Sequence, residues 1–260
     1  MISLAASWLR QRLRGGGPRP GARSHLRAVW VGSVGSVALC GVAHAQSYQC
    51  AIPQGQITIP RIERDGPVRQ MPVTGYTLAL SWSPEFCRNR DDQPSHARQC
   101  SGRSGRFAFV VHGLWPEGRG GRWPQWCPNN RQPSQQAIRR SLCMSPSARM
   151  LAHEWAKHGA CMVPDPDAYL AVTRILWNSL RWPDYDRLSR KPDLTAGEVR
   201  TAFADANPFW DEEDVGLVLN QRGWLREMRL CYGADFMPKA CDRRRFGPGD
   251  DVKVRIWRGL

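Results

Sequence analysis

The segment Phe107-Ala-Phe-Val-Val-His112 decides the fold, because it is a continuous apolar run of aromatic and β-branched residues. Such a run is typical of a strand that is covered on both faces and lies at the centre of a sheet. We expect His112 at the end of this strand, with Gly113 terminating it. The pattern therefore places a titratable side chain where a buried element ends.

Four further segments have strand patterns. Residues 76 to 82 alternate large apolar residues with small or polar ones, as in a half-buried strand. Residues 215 to 219 and 225 to 232 are predicted as strands joined through 220 to 223, and residues 252 to 257 as a terminal strand. Along the chain, these strands are interspersed with predicted helices.

Helix signals lie between the strands. Ser145-Pro146 is predicted to cap a helix that runs to Gly159. A second helix covers 167 to 180, and the capping box Thr195-Ala-Gly-Glu198 opens a third that stops at Asn207-Pro208. Because helices and strands follow no regular βαβ spacing, we predict an α+β fold with a central, mainly antiparallel sheet.

The N-terminal segment has the pattern of an export signal. Six arginines and no acid occur in the first 27 residues, followed by a short apolar run and the small-x-small sequence Ala43-His44-Ala45. We expect a signal peptide over 1–45 and a periplasmic or secreted protein. A membrane anchor is the alternative, but the run is shorter than the roughly 20 apolar residues that span a bilayer. A mitochondrial transit peptide is a further alternative.

The remaining chain is predicted as a lead-in over 46–75 and a single domain over 76–260, with a polar loop over 88–106. The whole chain has 37 Lys and Arg against 23 Asp and Glu, and without residues 1–45 the net charge is +8. This excess concentrates polyanions near the protein. Charge alone is equally compatible with a solvated basic face.

Cleavage after Ala45 removes Cys40 and leaves an even set of cysteines, which predicts four disulfides and an oxidising compartment. A zinc framework is the competing use, but no two of these cysteines are spaced as C-x-x-C. The eight are Cys50, Cys87, Cys100, Cys127, Cys143, Cys161, Cys231 and Cys241.

Four chemically active side chains share one face of the first predicted helix. At about 100° per residue, Lys157, Glu154 and His158 lie about 40°, 100° and 140° from His153. Trp155 points to the other side, where it anchors the helix in the core.

Two alternatives for these histidines are a metal site and ordinary packing. The zinc motif H-E-x-x-H has ligands four residues apart, whereas His153 and His158 are five apart with a lysine beside them. Packing or surface histidines are common, yet three of the four histidines after residue 45 lie in two glycine-flanked motifs. We therefore predict no metal and no other cofactor.

Cleavage of RNA without a metal needs this set of groups. A base takes the proton of the ribose 2′-OH, an acid protonates the departing 5′-oxygen, and a cation meets the charge on the phosphorane. Imidazole serves either proton transfer and lysine serves as the cation. DNA lacks the 2′-OH, so the same site does not cleave it.

The segments Phe109-Val-Val-His-Gly-Leu-Trp-Pro-Glu117 and His153-Glu-Trp-Ala-Lys-His-Gly-Ala-Cys161 resemble the paired active-site segments of the ribonuclease T2 family. These are secreted acid or neutral endoribonucleases. Weaker similarity extends from Tyr76 through Cys241. The resemblance implies a disulfide-stabilised ribonuclease catalytic domain that acts on single-stranded RNA. We predict a monomer. The alternatives are a catalytically silent RNA-binding or toxin-like protein of this fold and, from another class, a metallohydrolase.

The resemblance also implies a role for each residue. His158 would take the 2′-OH proton and His112 would protonate the leaving oxygen. His153 would bind phosphate, and Glu154 and Lys157 would stabilise the pentacovalent state. The product would be a 2′,3′-cyclic phosphate, later hydrolysed to a 3′-phosphate.

Three residues are candidates for binding bases. Trp115 and Trp123 offer aromatic faces on which a base can stack. Structural packing is the alternative for each, and for Trp123 it is an equal one. Glu117 offers an acceptor for a base amino group at a position where the family often has Asp. The family pattern pairs Cys127 with Cys161, and the remaining pairs are two short-range ones and one by elimination: Cys87–Cys100, Cys231–Cys241 and Cys50–Cys143.

Overall fold

A computed structural model describes Ser47–Tyr48 and residues 50 to 259. The predicted signal peptide, residues 1–45, lies outside the described residues. In the part that the structure describes, no helix has both the length and the apolar character needed to cross a membrane.

The sheet that positions the site has four strands in the order β4-β2-β6-β5, and every neighbouring pair is antiparallel. A second, two-stranded sheet pairs β1 with β3, also antiparallel. The prediction of an antiparallel α+β fold is therefore confirmed. The strands are β1 (Ser47–Tyr48), β2 (Gly75–Trp82), β3 (Arg106–Phe107), β4 (Phe109–Glu117), β5 (Val215–Leu219) and β6 (Leu225–Gly233).

The strand that contains His112 differs from its prediction in two ways. It continues through Gly113 to Glu117, and it lies at the edge of the sheet rather than at the centre. The outer edge of β4 is bonded by other groups: the Tyr169 hydroxyl bonds both the N–H and the carbonyl of Leu114, at 3.2 and 3.1 Å. An edge strand can therefore be as apolar as a central one, because a helix covers its free edge.

A bulge in β4 sets the position of His112. Ala79 pairs with Gly113 and Leu80 pairs with Val111, so His112 has no partner on β2. Bulges redirect a side chain and are frequent next to active sites.

Helices cover the core face of this sheet. α4 and α5 pack against β4, and α7 packs against β5. The helices of the described residues are α1 (Ser83–Cys87), α2 (Ala97–Cys100), α3 (Gln135–Ser141), α4 (Ala148–Lys157), α5 (Pro166–Ser179), α6 (Tyr185–Leu188), α7 (Ala196–Ala206) and α8 (Arg243–Phe246).

The capping box at Thr195 is confirmed, but the predicted start of α4 is wrong by two residues. Its cap is Ser147, whose side chain accepts from the Met150 N–H at 3.2 Å. The helix ends at Lys157, and His158 is its C-cap. The last histidine therefore projects from the helix end, where the backbone turns.

Two other predictions were wrong in part. Residues 88–106 contain α2 and a short 3-10 helix, Pro94–His96, so the segment is not a simple polar loop. Residues 252 to 257 form isolated bridges, Thr195 with Lys253 and Trp224 with Arg255, instead of a strand. Their backbone groups bond different neighbours and so no continuous ladder forms.

Four disulfides tie the fold together, and their pairs are those expected. One disulfide joins the lead-in to the segment after α3, and another joins the segment after α4 to the segment after β4. The pairs are Cys50–Cys143, Cys87–Cys100, Cys127–Cys161 and Cys231–Cys241.

Candidate active site

A cleft of about 390 Å³ lies between the polar face of the sheet and the C-terminal end of α4. The structure brings all five predicted catalytic residues and all three predicted base-binding residues to its wall. A larger cavity of about 830 Å³ beside Trp224 contains none of them. The cleft is lined by Thr77, His112, Trp115, Pro116, Glu117, Trp123, Gln125, His153, Glu154, Lys157, His158, Arg229, Arg244 and Arg245.

His112 lies between two carboxylates. Its Nδ1 is 3.0 Å from Oε2 of Glu227, and its Nε2 is 3.9 Å from Oε1 of Glu154. The other oxygen of Glu227 accepts from Nε of Arg229 at 2.8 Å. One ring nitrogen of His112 is thus bound to β6, while the other faces the cleft.

Glu154 is buried with 4% of its surface exposed, and it is fixed by Trp115. The Trp115 indole donates to Oε2 of Glu154 at 2.7 Å. A Cβ on Gly113 would overlap this carboxylate and would lie 2.6 Å from the Trp115 nitrogen. Gly113 therefore makes room for the glutamate, which is the physical reason for a glycine after His112.

His158 is also buried, with 7% of its surface exposed. Trp115 lies between the two imidazoles, with ring centroids 5.2 Å from His112 and 5.8 Å from His158. Within residues 50–259, Nδ1 of His158 has no hydrogen-bond partner. The two histidines thus face one cleft from different elements.

The cation Lys157 and the third histidine, His153, are held by a carboxylate from the lead-in. Nζ of Lys157 is 3.0 Å from Asp65, and Nε2 of His153 is 3.8 Å from it. The Trp126 indole donates to the same carboxylate at 3.1 Å. The Asp65 carboxylate is therefore the anion that faces both side chains.

Burial and neighbouring charges shift the pKa values of the two main histidines in opposite directions. For His112, burial lowers the pKa, but the hydrogen bond to Glu227 and the charges of Glu154 and Glu227 outweigh it, so the pKa is raised above 6.5. Burial, followed by the positive charges of Lys157 and His153, lowers the pKa of His158 to about 3. The first imidazole therefore keeps its proton to a higher pH than an ordinary histidine, whereas the second is a neutral base near neutral pH.

The buried Glu154 also titrates abnormally. Burial raises its pKa to about 7, although His112 and the Trp115 hydrogen bond act in the opposite direction. For Glu227, burial raises the pKa, but the hydrogen bond to His112 and the nearby positive charges outweigh it and leave the pKa lowered. The carboxylate bonded to His112 is therefore the ionised one.

The base-binding candidates have defined partners. The Trp123 indole donates to Oε1 of Gln125 at 3.0 Å, and the guanidinium of Arg69 lies 4.8 Å from the Trp123 ring. The Glu117 carboxylate accepts from the Thr77 hydroxyl at 2.7 Å and is paired with Arg245. Protein groups therefore occupy the carboxylate that was predicted to accept from a base.

Sequence analysis missed the residues that surround these groups. Glu227 and Arg229 alternate on a predicted strand, and polar residues at alternate positions of a largely buried strand are a signal that could have found them. Asp65 and Arg245 lie far from both motifs in sequence, and no local pattern indicates them. Among the described residues, no group of three or more His, Cys, Asp or Glu side chains is arranged to hold a metal.

The chain is similar to known ribonucleases in sequence and in fold. Residues 74–184 match the model of the ribonuclease T2 family. A probable ribonuclease of Haemophilus influenzae is 34% identical over 142 residues, which is 51% of this chain and 52% of the relative. The chain thus spans about half the length of that protein.

Two other similar proteins cover more of this chain. Ribonuclease I of Escherichia coli is 33% identical over 217 residues, covering 66% of this chain and 80% of the relative. The solved structure of an RNase-related protein from Calystegia sepium shares the fold with a TM-score of 0.56 at 20% identity, covering 72% of this chain and 98% of the other. The family resemblance of the two motifs is confirmed: the chain belongs to the ribonuclease T2 family.

Proposed function

We propose that this protein is a metal-independent endoribonuclease that cleaves single-stranded RNA to 3′-phosphate ends through a 2′,3′-cyclic phosphate. The observation that carries the proposal is one cleft with two imidazoles whose pKa values are shifted in opposite directions. An acid and a base that coexist at one pH are what transphosphorylation requires.

In the first step His158 takes the proton from the 2′-OH as the 2′-oxygen bonds to phosphorus. The bond from phosphorus to the 5′-oxygen breaks, and His112 gives its proton to that oxygen. A bound phosphodiester adds a negative charge close to His158 and partly reverses the effect of Lys157 on its pKa. Substrate binding therefore strengthens the base at the moment it is needed.

The charge that develops on the phosphorane is met by the groups around α4. Lys157 is the cation, and His153 beside it has a pKa lowered by burial and by the charge of Lys157; both exchange Asp65 for phosphate oxygens when RNA binds. Glu154 has a pKa of about 7, so near neutral pH a large fraction is protonated and can donate a hydrogen bond to a phosphoryl oxygen.

The second step reverses the roles. Neutral His112 takes a proton from water, the water oxygen bonds to phosphorus, and protonated His158 returns its proton to the 2′-oxygen as the ring opens. The net result adds one water and restores both imidazoles. No metal enters either step, and a DNA strand lacks the group that starts the first.

Trp115 and Trp123 are proposed as stacking surfaces for bases of single-stranded RNA, each worth roughly 1 to 3 kcal/mol by comparison with other single-strand binders. The two rings lie on the wall of the same cleft. Glu117 would bind a base amino group only after it loosens its pairing with Arg245.

The proposal includes export and a monomeric state. Residues 1–45 would direct the chain to the periplasm or outside the cell, and the rest would be the enzyme, with a lead-in over 46–75 and one catalytic domain over 76–260. Four disulfides support an oxidising compartment.

The test is to incubate residues 46–260 with RNA and with matched DNA in excess chelator and to analyse the RNA ends. We expect cyclic phosphates early, 3′-phosphates late and intact DNA. Intact RNA, chelator-sensitive cleavage or 5′-phosphate ends would refute the proposal. His112→Ala and His158→Ala should each lower the rate by about two to three orders of magnitude. The control is His96→Ala, because His96 lies outside the cleft against Phe86.

A further inference from the structure

The contact between His112 and Glu227 spans two strands of the sheet. β2 lies between β4 and β6, and adjacent strands are about 4.8 Å apart. His112 therefore has to reach across a whole strand to meet the glutamate. The two side chains nevertheless come within 3.0 Å of each other, and two local features make this possible.

The first feature is the bulge, which leaves His112 without a partner and redirects its ring. The second is the small side chains of β2 on this face. Leu78 and Leu80 belong to the core, so Ala79 and Ser81 face the opposite way by strand alternation. A large residue at either position would fill the space across which the ring reaches.

Glu227 itself is held rigidly. It is 9% exposed, and each of its oxygens has a partner: Nδ1 of His112 at 3.0 Å and Nε of Arg229 at 2.8 Å. Arg229 also lies 5.7 Å from the Trp115 ring. A carboxylate fixed on one side by a guanidinium has one oxygen left to orient the imidazole.

We propose that Glu227, fixed by Arg229, is a positioning residue for His112. This inference rests on the proposed function. The carboxylate accepts the Nδ1 proton, so the transferable proton is on Nε2, the nitrogen that faces the cleft. The ring is thereby held as the acid of the first step, in the orientation that protonates the leaving oxygen.

Other charged groups also face this imidazole. Glu154 approaches Nε2 at 3.9 Å from α4, and Arg229 is a positive charge on β6. His153 and His158 add positive charge when they are protonated. Glu227 differs from all of them because it is hydrogen-bonded to the ring. Glu154 cannot replace it, since its contact is with the nitrogen that must remain free for the substrate.

Two substrates separate positioning of the acid from general damage. A dinucleoside monophosphate has an alkoxide leaving group that must be protonated, whereas a ribonucleoside 3′-(4-nitrophenyl phosphate) releases a stable phenolate without a proton. Both use the same base and the same phosphate site. The variants are Glu227→Gln, which keeps the shape and removes the charge, and Glu227→Asp, which keeps the charge and withdraws it from Nδ1. Glu213→Gln, at an exposed position, is the matched control.

We expect Glu227→Gln and Glu227→Asp to lower kcat on the dinucleoside by about tenfold to a hundredfold, a part of what a general acid contributes. KM should stay within about twofold and cleavage of the nitrophenyl ester within about threefold. In Glu227→Gln the alkaline limb of kcat/KM should move to lower pH. Equal losses on both substrates, or no loss on either, would overturn the proposal.

An NMR titration of His112 keeps this test independent of activity. Its signals are assigned with the His112→Ala variant, and Glu227→Gln should lower the pKa of the ring. If the wild type cleaves neither substrate, the proposed function fails. The titration then still decides the contact, since an unchanged pKa of His112 would remove Glu227 from the positioning role.

Discussion

His158→Gln should make the protein more resistant to acid. The folded protein keeps this imidazole neutral because burial and the charges of Lys157 and His153 lower its pKa from 6.5 to about 3. In the unfolded chain the ring is protonated below about pH 6.5. The unfolded state therefore binds more protons between these values, and stability falls as the pH falls.

The magnitude follows from the width of this window. Each pH unit between 6.5 and 3 removes about 1.4 kcal/mol from the free energy of unfolding, so lowering the pH to 4.5 removes about 2 to 3 kcal/mol. The ring is 7% exposed, so water screens little of this effect. Glutamine does not titrate, so the variant should keep the roughly 2 to 3 kcal/mol of unfolding free energy that the wild type loses at this residue.

Glu154 acts in the opposite direction and hides this effect in the wild type. Its pKa rises from 4.5 to about 7 in the folded protein, so here the folded state binds the extra proton. Stability then increases as the pH falls from about 7 to 4.5, by about 3 kcal/mol. A comparison of variants is needed to separate the contributions of His158 and Glu154 to stability. The separation is clean because neither residue is among the causes of the other's pKa shift.

The assay is urea unfolding of the oxidised residues 46–260 at pH 7.5 and pH 4.5. The difference in unfolding free energy between His158→Gln and wild type should move by about 2 to 3 kcal/mol in favour of the variant at pH 4.5. For Glu154→Gln the difference in unfolding free energy should move in the opposite direction, in favour of the wild type at pH 4.5, by about 3 kcal/mol. An equal difference at both pH values would refute the reasoning that buried, neutral His158 opposes folding in acid.

Three further predictions concern activity and packing. The alkaline limb of the pH profile of kcat/KM should lie above pH 6.5, because the Glu227 contact raises the pKa of the acid His112; a limb at or below 6.5 would contradict this. Asp65→Asn should lower KM for RNA by about twofold to tenfold at low salt, since Lys157 no longer pairs with a carboxylate, and the gain should vanish at high salt, where exposed charge pairs are screened. Gly159→Ala should lower the free energy of unfolding by about 1 to 3 kcal/mol in denaturant titrations, because its Cβ would lie 2.6 Å from a tyrosine ring of α5; Gly55→Ala, with open space around it, should change stability by less than about 0.5 kcal/mol.

Sequence patterns predicted the elements because those patterns are local. The strand pattern of β2 and the capping box at Thr195 depend on residues within one strand or one turn, and both elements appear in the structure. The helix-wheel argument likewise placed His153 and Lys157 on a common side, and the structure puts both in the cleft. The prediction that β2 is half-buried was wrong, because the strand is buried on both faces.

Predictions that depend on neighbours outside the segment were wrong. A continuous apolar run indicates burial on two faces, but it does not say whether a strand or a helix supplies the cover. For β4 the cover on one edge is the Tyr169 hydroxyl from α5. In the same way, Gly113 indicates a break in a strand pattern, whereas the actual constraint is the Glu154 carboxylate against its backbone.

The pKa values of the two imidazoles are shifted in opposite directions, and part of the difference lies in the charges that each element places beside them. Burial lowers the pKa of His158 most, and the positive charges of Lys157 and His153, which belong to the same helical motif, lower it further. His112 receives its carboxylates from α4 and from a strand two positions away, through a bulge and a face of small residues. The charges beside the base thus come mainly from its own motif, whereas those beside the acid come from the assembled sheet. Substitutions far from both motifs, on β2 or β6, should therefore affect the acid more than the base.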